Sequence, residues 1–267
     1  MGDSMTTPPK LSLQGVTKDY QTAQGAQTVL HQLDLEIQAG EFVCLVGPSG
    51  CGKSTLINLM AGFEQPTAGT IRIDGAAVSG PDPDRIMLFQ DYGLFPWRTV
   101  LGNLLFALRA RGVPRHTARE RALSALTLVG LQQAADKHPH QLSGGMQQRA
   151  ALARALAVEP SMLLLDEPFA ALDAFTRLHL QDELLLIWQK KRPTIIFVTH
   201  DLDEAIALGQ RIVLLAPNPG RVQRILTVGL PYPRERTASD FAEFRRELFN
   251  EFHLIHEQLP LETDFSI

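Results

Sequence analysis

The stretch "FVCLVGPSGCGKSTLINLMAG", Phe42 to Gly62, narrows the possible folds more than any other in the chain. A continuous apolar run leads into a glycine-rich turn, which opens directly into a run of helix formers stopped by Gly62. The turn "GPSGCGKST" fits G-x-x-x-x-G-K-[ST] in the strand–loop–helix setting which that pattern requires. Its residues, Gly47, Pro48, Ser49, Gly50, Cys51, Gly52, Lys53, Ser54 and Thr55, form a candidate phosphate-binding loop. The glycines let backbone N–H groups close around a β-phosphate, Lys53 neutralises β- and γ-phosphates, and Ser54 is the expected Mg²⁺ ligand. Cys51 reads as a small filler and not as a nucleophile.

The rest of the chain suits such a loop. "MLLLD", "IIFVTH" and "RIVLLA" are further continuous apolar runs, as expected of parallel strands covered by helices on both faces. "LSLQGVTKDY" and "LDLEIQAGEF" instead alternate apolar and polar residues, as half-buried antiparallel strands do, and "TIRIDG" reads as a strand ending in a turn. From about residue 100 to 157 strand signals vanish and helix formers dominate, which predicts an inserted helical subdomain. "DLDEAIALG" predicts a short helix with Asp201 as N-cap, Glu204 as its capping-box partner and Gly209 as its stop. Phe241, Phe244, Leu248, Phe252 and Ile255 recur at helical spacing, an amphipathic tail helix that must dock on something.

Composition sets the outer limits. At 267 residues the chain can build one large domain or two small ones, and 45% hydrophobic with 20% charged residues is ordinary for a globular protein. A net charge of -4 implies no general attraction to nucleic acid, and the two cysteines, Cys44 and Cys51, cannot make a disulfide framework. No apolar run is long enough to cross a bilayer, and the start lacks the apolar core of a signal peptide. The opening "MGDSMT" fits the bare myristoylation pattern, but the expected reading is a frayed polar terminus.

Two acidic residues, Asp166 and Glu167, end the run "MLLLDEP". An acidic pair at the end of a buried strand is costly unless a cation or a reaction uses it. Asp166 would hold Mg²⁺, and Glu167 is placed to polarise an attacking water as general base. His200 ends another apolar run and could donate to a γ-phosphate, while Gln90, after "IMLF", could reach Mg²⁺ or the water. Gly47, Asp166 and His200 would all lie at the carboxyl ends of parallel strands, where open α/β sheets bind ligands. A second glycine loop, Ser143-Gly144-Gly145, stands before the helix formers of "MQQRAALARAL" and could also face an anion.

Taken in order, "GPSGCGKST", Gln90, "LSGGMQQR", "LLLDEP", "ALD" and "VTH" resemble the nucleotide-binding subunit of ABC transporters over roughly Leu11 to Ala216. The resemblance implies a P-loop NTPase of the α/β class, a RecA-like parallel sheet core with an antiparallel β subdomain and an inserted helical subdomain. It implies boundaries at 1–10 (flexible terminus), 11–89 (first part of the core), 90–157 (helical subdomain), 158–217 (second part of the core) and 218–267 (tail). It further implies ATP and Mg²⁺ as cofactors, held in a head-to-tail pair of cassettes. Ser143 and Gly145 then serve the partner's γ-phosphate, Gly144 lies between them, Asp173 sits at the seam, and Tyr20 stacks on adenine.

"GLFPWRTV" places Phe95, Pro96 and Trp97 on a loop after Gln90, where importers seat a helix of the membrane subunit. That form resembles the nitrate, sulfonate, taurine and bicarbonate group of importer ATPases. The implied partners are a second ATPase copy, membrane permease subunits and, indirectly, an extracytoplasmic binding protein, at the cytoplasmic face of the inner membrane. No nucleic-acid partner is expected: Arg109, Arg111, Arg115, Arg119 and Arg121 read as one basic helical stretch that is solvated or meets the permease. His138 with His140, and His253 with His256, lack the companions a metal site needs.

Overall fold

The computed structural model describes residues 8–23, 25–89 and 92–257, with side chains through His253. Gln90 and residues 1–7 of the expected flexible terminus at 1–10 lie outside the described residues. The alternating segments form β1 (Leu11–Thr22) and β2 (Gly25–Ile37), which pair antiparallel, and β1 pairs on its other side with β4 (Ala68–Ile73). The two-residue β5 (Ala76–Ala77) completes this small sheet, in the order β2-β1-β4-β5.

The continuous apolar runs form the second sheet. Its strands are β3 (Phe42–Val46), β6 (Arg85–Leu88), β7 (Met162–Asp166), β8 (Thr194–Val198), β9 (Arg211–Ala216) and β10 (Arg221–Thr227). Their order is β10-β9-β3-β8-β7-β6, parallel throughout except for the antiparallel edge strand β10. Every residue of β3, β7 and β8 is buried, which is why these strands show no alternation: apolar cores lie on both faces.

One face packs on α1 (Lys53–Ala61) and the antiparallel sheet. The other packs on α2 (Val100–Ala110), α3 (Arg115–Leu128), α4 (Gly144–Ala157), α5 (Ala174–Lys191), α6 (Leu202–Leu208) and α7 (Ser239–Glu257). The arginines from 109 to 121 do not form one stretch. Gly112, at φ +74°, and Pro114, the N-cap of α3, break the helix between them. Arg111 pairs with Asp84 at 2.7 Å, and Arg121 lies 3.5 Å from Glu159.

One local expectation around α6 needs correction. Asp201 does cap this helix, accepting from the N–H groups of Asp203 and Glu204. Glu204, however, does not reach back to complete a capping box; its carboxylate is buried and accepts from Thr199 and Gln181. Gly209 ends the helix as its sequence suggests, in extended backbone at φ -74°. What requires glycine there is space, because a Cβ would stand 2.9 Å from Cys44 Sγ. The tail helix α7 docks on the chain's own core through Phe241 and Leu248, both buried, with Phe244 and Phe252 packed beside them. The Ile255 side chain lies outside the described ones.

Candidate functional site

The parallel sheet aligns the carboxyl ends of three central strands. Leu45 of β3 and Asp166 of β7 are both register partners of Val198 in β8, so the segments that leave these strands start at one level. From β3 comes the glycine loop, from β7 the Asp166-Glu167 pair, and from β8 Thr199 and His200. Backbone bonds pin the exits together: Thr199 N–H donates to Leu45 O at 3.2 Å, and Glu167 N–H donates to Val198 O at 3.1 Å.

The loop itself is shaped around its amides. Gly52 takes φ +91°, and a Cβ there would stand 2.5 Å from Leu30 Cδ2, so neither the conformation nor the space admits a side chain. Gly52 is also the N-cap of α1, which leaves that helix without a side-chain cap. Its first-turn amides are then donors for an external acceptor, at the positive end of the helix dipole. Lys53 Nζ spans the loop, donating to the carbonyls of Gly47 at 2.7 Å and Pro48 at 2.9 Å. Cys51 is fully buried, and burial raises its thiol pKa, which fits a filler and not a nucleophile.

Asp166 is 7% exposed, and burial pushes its carboxyl up from the usual carboxylate range; a hydrogen bond from Ser54 acts against that. A buried carboxylate and an adjacent hydroxyl, both hard oxygen donors beside a phosphate loop, fit Mg²⁺. Glu167 sits at φ +47°, a left-handed conformation uncommon for a residue with a side chain. Its Oε1 lies 3.3 Å from His200 Nδ1, with the imidazole 68% exposed and the carboxylate 22%. A carboxylate and an imidazole thus share one open corner beside the loop.

Tyr20, on β1, is drawn to the same end. Its hydroxyl donates to Glu64 Oε2 at 2.6 Å and also meets the Thr55 side chain, while Lys18 Nζ lies 4.9 Å from its ring centroid. Burial raises the Tyr20 pKa, and the Glu64 carboxylate adds to it.

The second glycine loop lies in other surroundings. Ser143 caps α4 with its own hydroxyl, accepting from Met146 N–H at 3.3 Å. Gly144 lies near the Tyr92 hydroxyl, and Gly145 packs on the segment after Glu167: its Cβ would stand 3.2 Å from Ala171 O. Asp173 caps α5 through Thr176 N–H at 3.0 Å, which lowers its pKa. Ser143, Gly144 and Asp173 are all exposed.

One residue the motif reading missed joins these parts. Gln148 of α4 is 4% exposed; its Nε2 donates to Glu167 O and its Oε1 accepts from Ala171 N–H, each at 3.2 Å. The available signal was a glutamine three and four residues after Gly145 and Gly144, on the same helix face. A concavity of about 620 Å³ lies away from this site, at the amino ends of the strands. Of its charges, Lys10 pairs with Asp74 and Lys191 with Glu159.

Comparison with known proteins decides what this geometry belongs to. Residues 30–170 match the sequence profile of the ABC transporter family. The chain belongs to that family. This ABC cassette is 46% identical over 226 residues to the nitrate import ATP-binding protein NrtD of Synechococcus elongatus, covering 84% of this chain and 82% of that one. It is 45% identical over 229 residues to the bicarbonate transport ATP-binding protein CmpD of a Synechocystis species, covering 85% and 81%. An ABC transporter ATP-binding protein of Methanocaldococcus jannaschii is 47% identical over 241 residues, 90% of each chain. Among solved structures, the ATP-binding cassette MJ0796, a dimer in a post-hydrolysis state with ADP and Pi, superposes with a TM-score of 0.77 at 35% identity, covering 83% of this chain and all of that one. The chain is therefore an ATPase with the P-loop NTPase fold, the ATP-binding subunit of an ABC transporter.

Proposed function

We propose that this subunit drives an importer of small oxyanions or sulfonates, working as a pair of identical cassettes closed over two ATP molecules. The observation that carries the hydrolytic half is the 3.3 Å contact between Glu167 and His200 beside the glycine loop. Residues 47–55 bind the phosphates, with Lys53 turning from the loop carbonyls to the β- and γ-phosphate oxygens. Ser54, Asp166 and Gln90 would hold Mg²⁺, which supplies charge neutralisation on the phosphates. Glu167 accepts a proton from the attacking water, and His200, beside that carboxylate, donates to the γ-phosphate. Tyr20 offers its ring to adenine.

Ser143, Gly144 and Gly145, with Asp173 at the seam, complete the site of the second copy. In support, Ser143, Gly144 and Asp173 are exposed, Gly145 is half-buried beside them, and the similar cassette MJ0796 is a dimer. Each ATP then contacts both subunits, so binding pairs them and hydrolysis releases them. Phe95 and Trp97 are the proposed seat for a permease helix. Trp97 is 71% exposed with its centroid 5.6 Å from Phe95, and Phe95 stacks edge-on against Phe106 at 4.8 Å.

The solute class rests on the relatives named for nitrate import and bicarbonate transport. A cassette on the cytoplasmic face, below permeases fed by an extracytoplasmic binding protein, follows from the same reading. Among the described residues no helix is long and apolar enough to cross a membrane. Glu167→Gln tests the chemistry: ATP binding persists while hydrolysis slows by roughly 10²–10⁴, and ATP shifts the variant to the paired state on gel filtration. Hydrolysis at the native rate would remove Glu167 from the role.

A further inference from the structure

His200 itself is exposed, but the residues on either side of it are held on all sides. The buried Thr199 hydroxyl donates to Glu204 Oε2 at 2.6 Å and accepts from Asp201 N–H at 3.0 Å. Asp201 in turn caps α6. Glu204 is 6% exposed, and its second oxygen accepts from Gln181 Nε2 on α5 at 2.8 Å. Gln181, also buried, presents its Oε1 to the guanidinium of Arg236, from the segment that leads into α7. Arg236 further donates to the Asp203 carbonyl at 3.3 Å.

The same segment grips the rest of α6. Tyr232 donates to Leu208 O at 2.7 Å, Arg234 donates to the carbonyls of Ile206 and Gly209, and Arg245 of α7 pairs with both carboxylate oxygens of Asp203. The tail therefore binds both ends of the helix that begins immediately after His200.

The chain of bonds has a direction. Gln181 can satisfy both neighbours in one orientation only, carbonyl oxygen toward Arg236 and NH₂ toward the Glu204 carboxylate. Among the described residues no donor besides Arg236 enforces the orientation on that side, and a flipped carboxamide would set its oxygen against the carboxylate. Glu204 would then lose a buried donor, and Thr199 the firmness of its acceptor.

We infer that the C-terminal segment positions His200 through the chain Arg236–Gln181–Glu204–Thr199, so that the tail sets the hydrolytic rate without touching nucleotide. The inference rests on the role proposed for His200, and Arg236 is a positioning residue in it. Arg236 is only partly buried, so Arg236→Ala leaves the fold intact, with Arg236→Lys as the conservative companion. ATP affinity and KM should stay within about twofold while kcat falls roughly threefold to tenfold, with partial recovery in Arg236→Lys. In a His200→Ala background Arg236→Ala should lower kcat no further, because its effect passes through His200. An additive loss would overturn the inference.

An independent reading comes from ¹⁵N-labelled histidine. The His200 ring resonances should shift in Arg236→Ala and move back in Arg236→Lys. If they stay where the native protein has them, the tail does not position this residue. Should His200→Ala hydrolyse ATP at the native rate, the chemical role of His200 falls, while the ring resonances still decide the contact with the tail.

Discussion

The two glycine loops of this chain both open a helix, yet they solve the helix N-terminus in opposite ways. At α1 the cap is Gly52, which contributes no side chain, so the first-turn amides stay available to an outside acceptor. At α4 the cap is Ser143, whose own hydroxyl takes the Met146 amide. The first loop is walled by Lys53, buried Cys51 and the Asp166–Ser54 contact; the second stands exposed on the Ala171–Leu172 segment. A loop that leaves its donors open and surrounds them with charge is a complete phosphate cradle. A loop that satisfies itself and faces solvent suits the proposed role of half a site, completed by a second molecule.

Substitutions that strike one loop at a time sharpen that contrast. The largest expected effect is on Lys53→Ala, which removes a charged donor and should weaken ATP binding to the lone subunit by about 10–100-fold. Ser143→Arg should change the same affinity less than about twofold if, as proposed, that loop serves the other nucleotide. Equilibrium titration with a fluorescent ATP analogue at subunit concentrations too low for pairing separates the two.

The glycines should differ as well. Gly52→Ala forces a methyl against Leu30 in a left-handed conformation and should cost about 2 kcal/mol. Gly145→Ala has an ordinary φ and meets the Ala171 carbonyl at 3.2 Å and Leu172 Cδ2 at 3.4 Å, so it should lower the melting temperature of the lone subunit less than Gly52→Ala does. Equal losses at both positions would mean that the second loop is as much a part of the subunit's own framework as the first.

Asp166 gives an effect of opposite sign. Burial raises its folded-state pKa above the unfolded value, so ionising it costs stability. That cost is absent below the unfolded pKa and complete once the pH exceeds the folded one. Asp166→Asn should therefore melt higher at neutral pH in the presence of a chelator. The difference should vanish in acid, and Mg²⁺-dependent hydrolysis should be lost. A variant less stable than the native chain at neutral pH would contradict the reading of Asp166 as a buried charge awaiting a cation.

Ser143→Ala carries the smallest effect, the loss of one helix cap worth about 1 kcal/mol in thermal or denaturant unfolding. Ser143→Gly should recover most of it. No change in either variant would mean that the Ser143 hydroxyl does not cap α4.

Much of this molecule was readable in its sequence because the relevant physics is local. Parallel strands buried on both faces show as unbroken apolar runs, and "MLLLD" and "IIFVTH" gave β7 and β8 almost to the residue. The glycine loop declared itself through its spacing between a strand and a helix. Readings failed where one local pattern could serve two tertiary ends. Asp201 and Glu204 have capping-box spacing, yet Glu204 turns inward to Thr199 and Gln181, partners that only the folded chain supplies. Gly209 is the helix stop that its sequence suggests, but what keeps it a glycine is the space beside Cys44, far away in sequence. Gln148 lay unnoticed in an alanine-rich helix because the groups it clamps, Glu167 O and Ala171 N, are backbone atoms without a motif. The edge strand β10 escaped because most of its residues are exposed or only half-buried.

That the two loops serve different nucleotides is tested most directly by mixing two defective subunits. Lys53→Ala lacks a working cradle and Ser143→Arg lacks a working second loop, so neither should pair with itself around ATP. Together they form one intact shared site, from the cradle of the Ser143→Arg subunit and the second loop of the Lys53→Ala subunit. With donor dye on one and acceptor dye on the other, adding ATP should raise energy transfer in the mixture and in neither variant alone. If the mixture stays as silent as its parents, or if labelled Ser143→Arg pairs with itself as the native chain does, the two loops do not divide their work between two nucleotides.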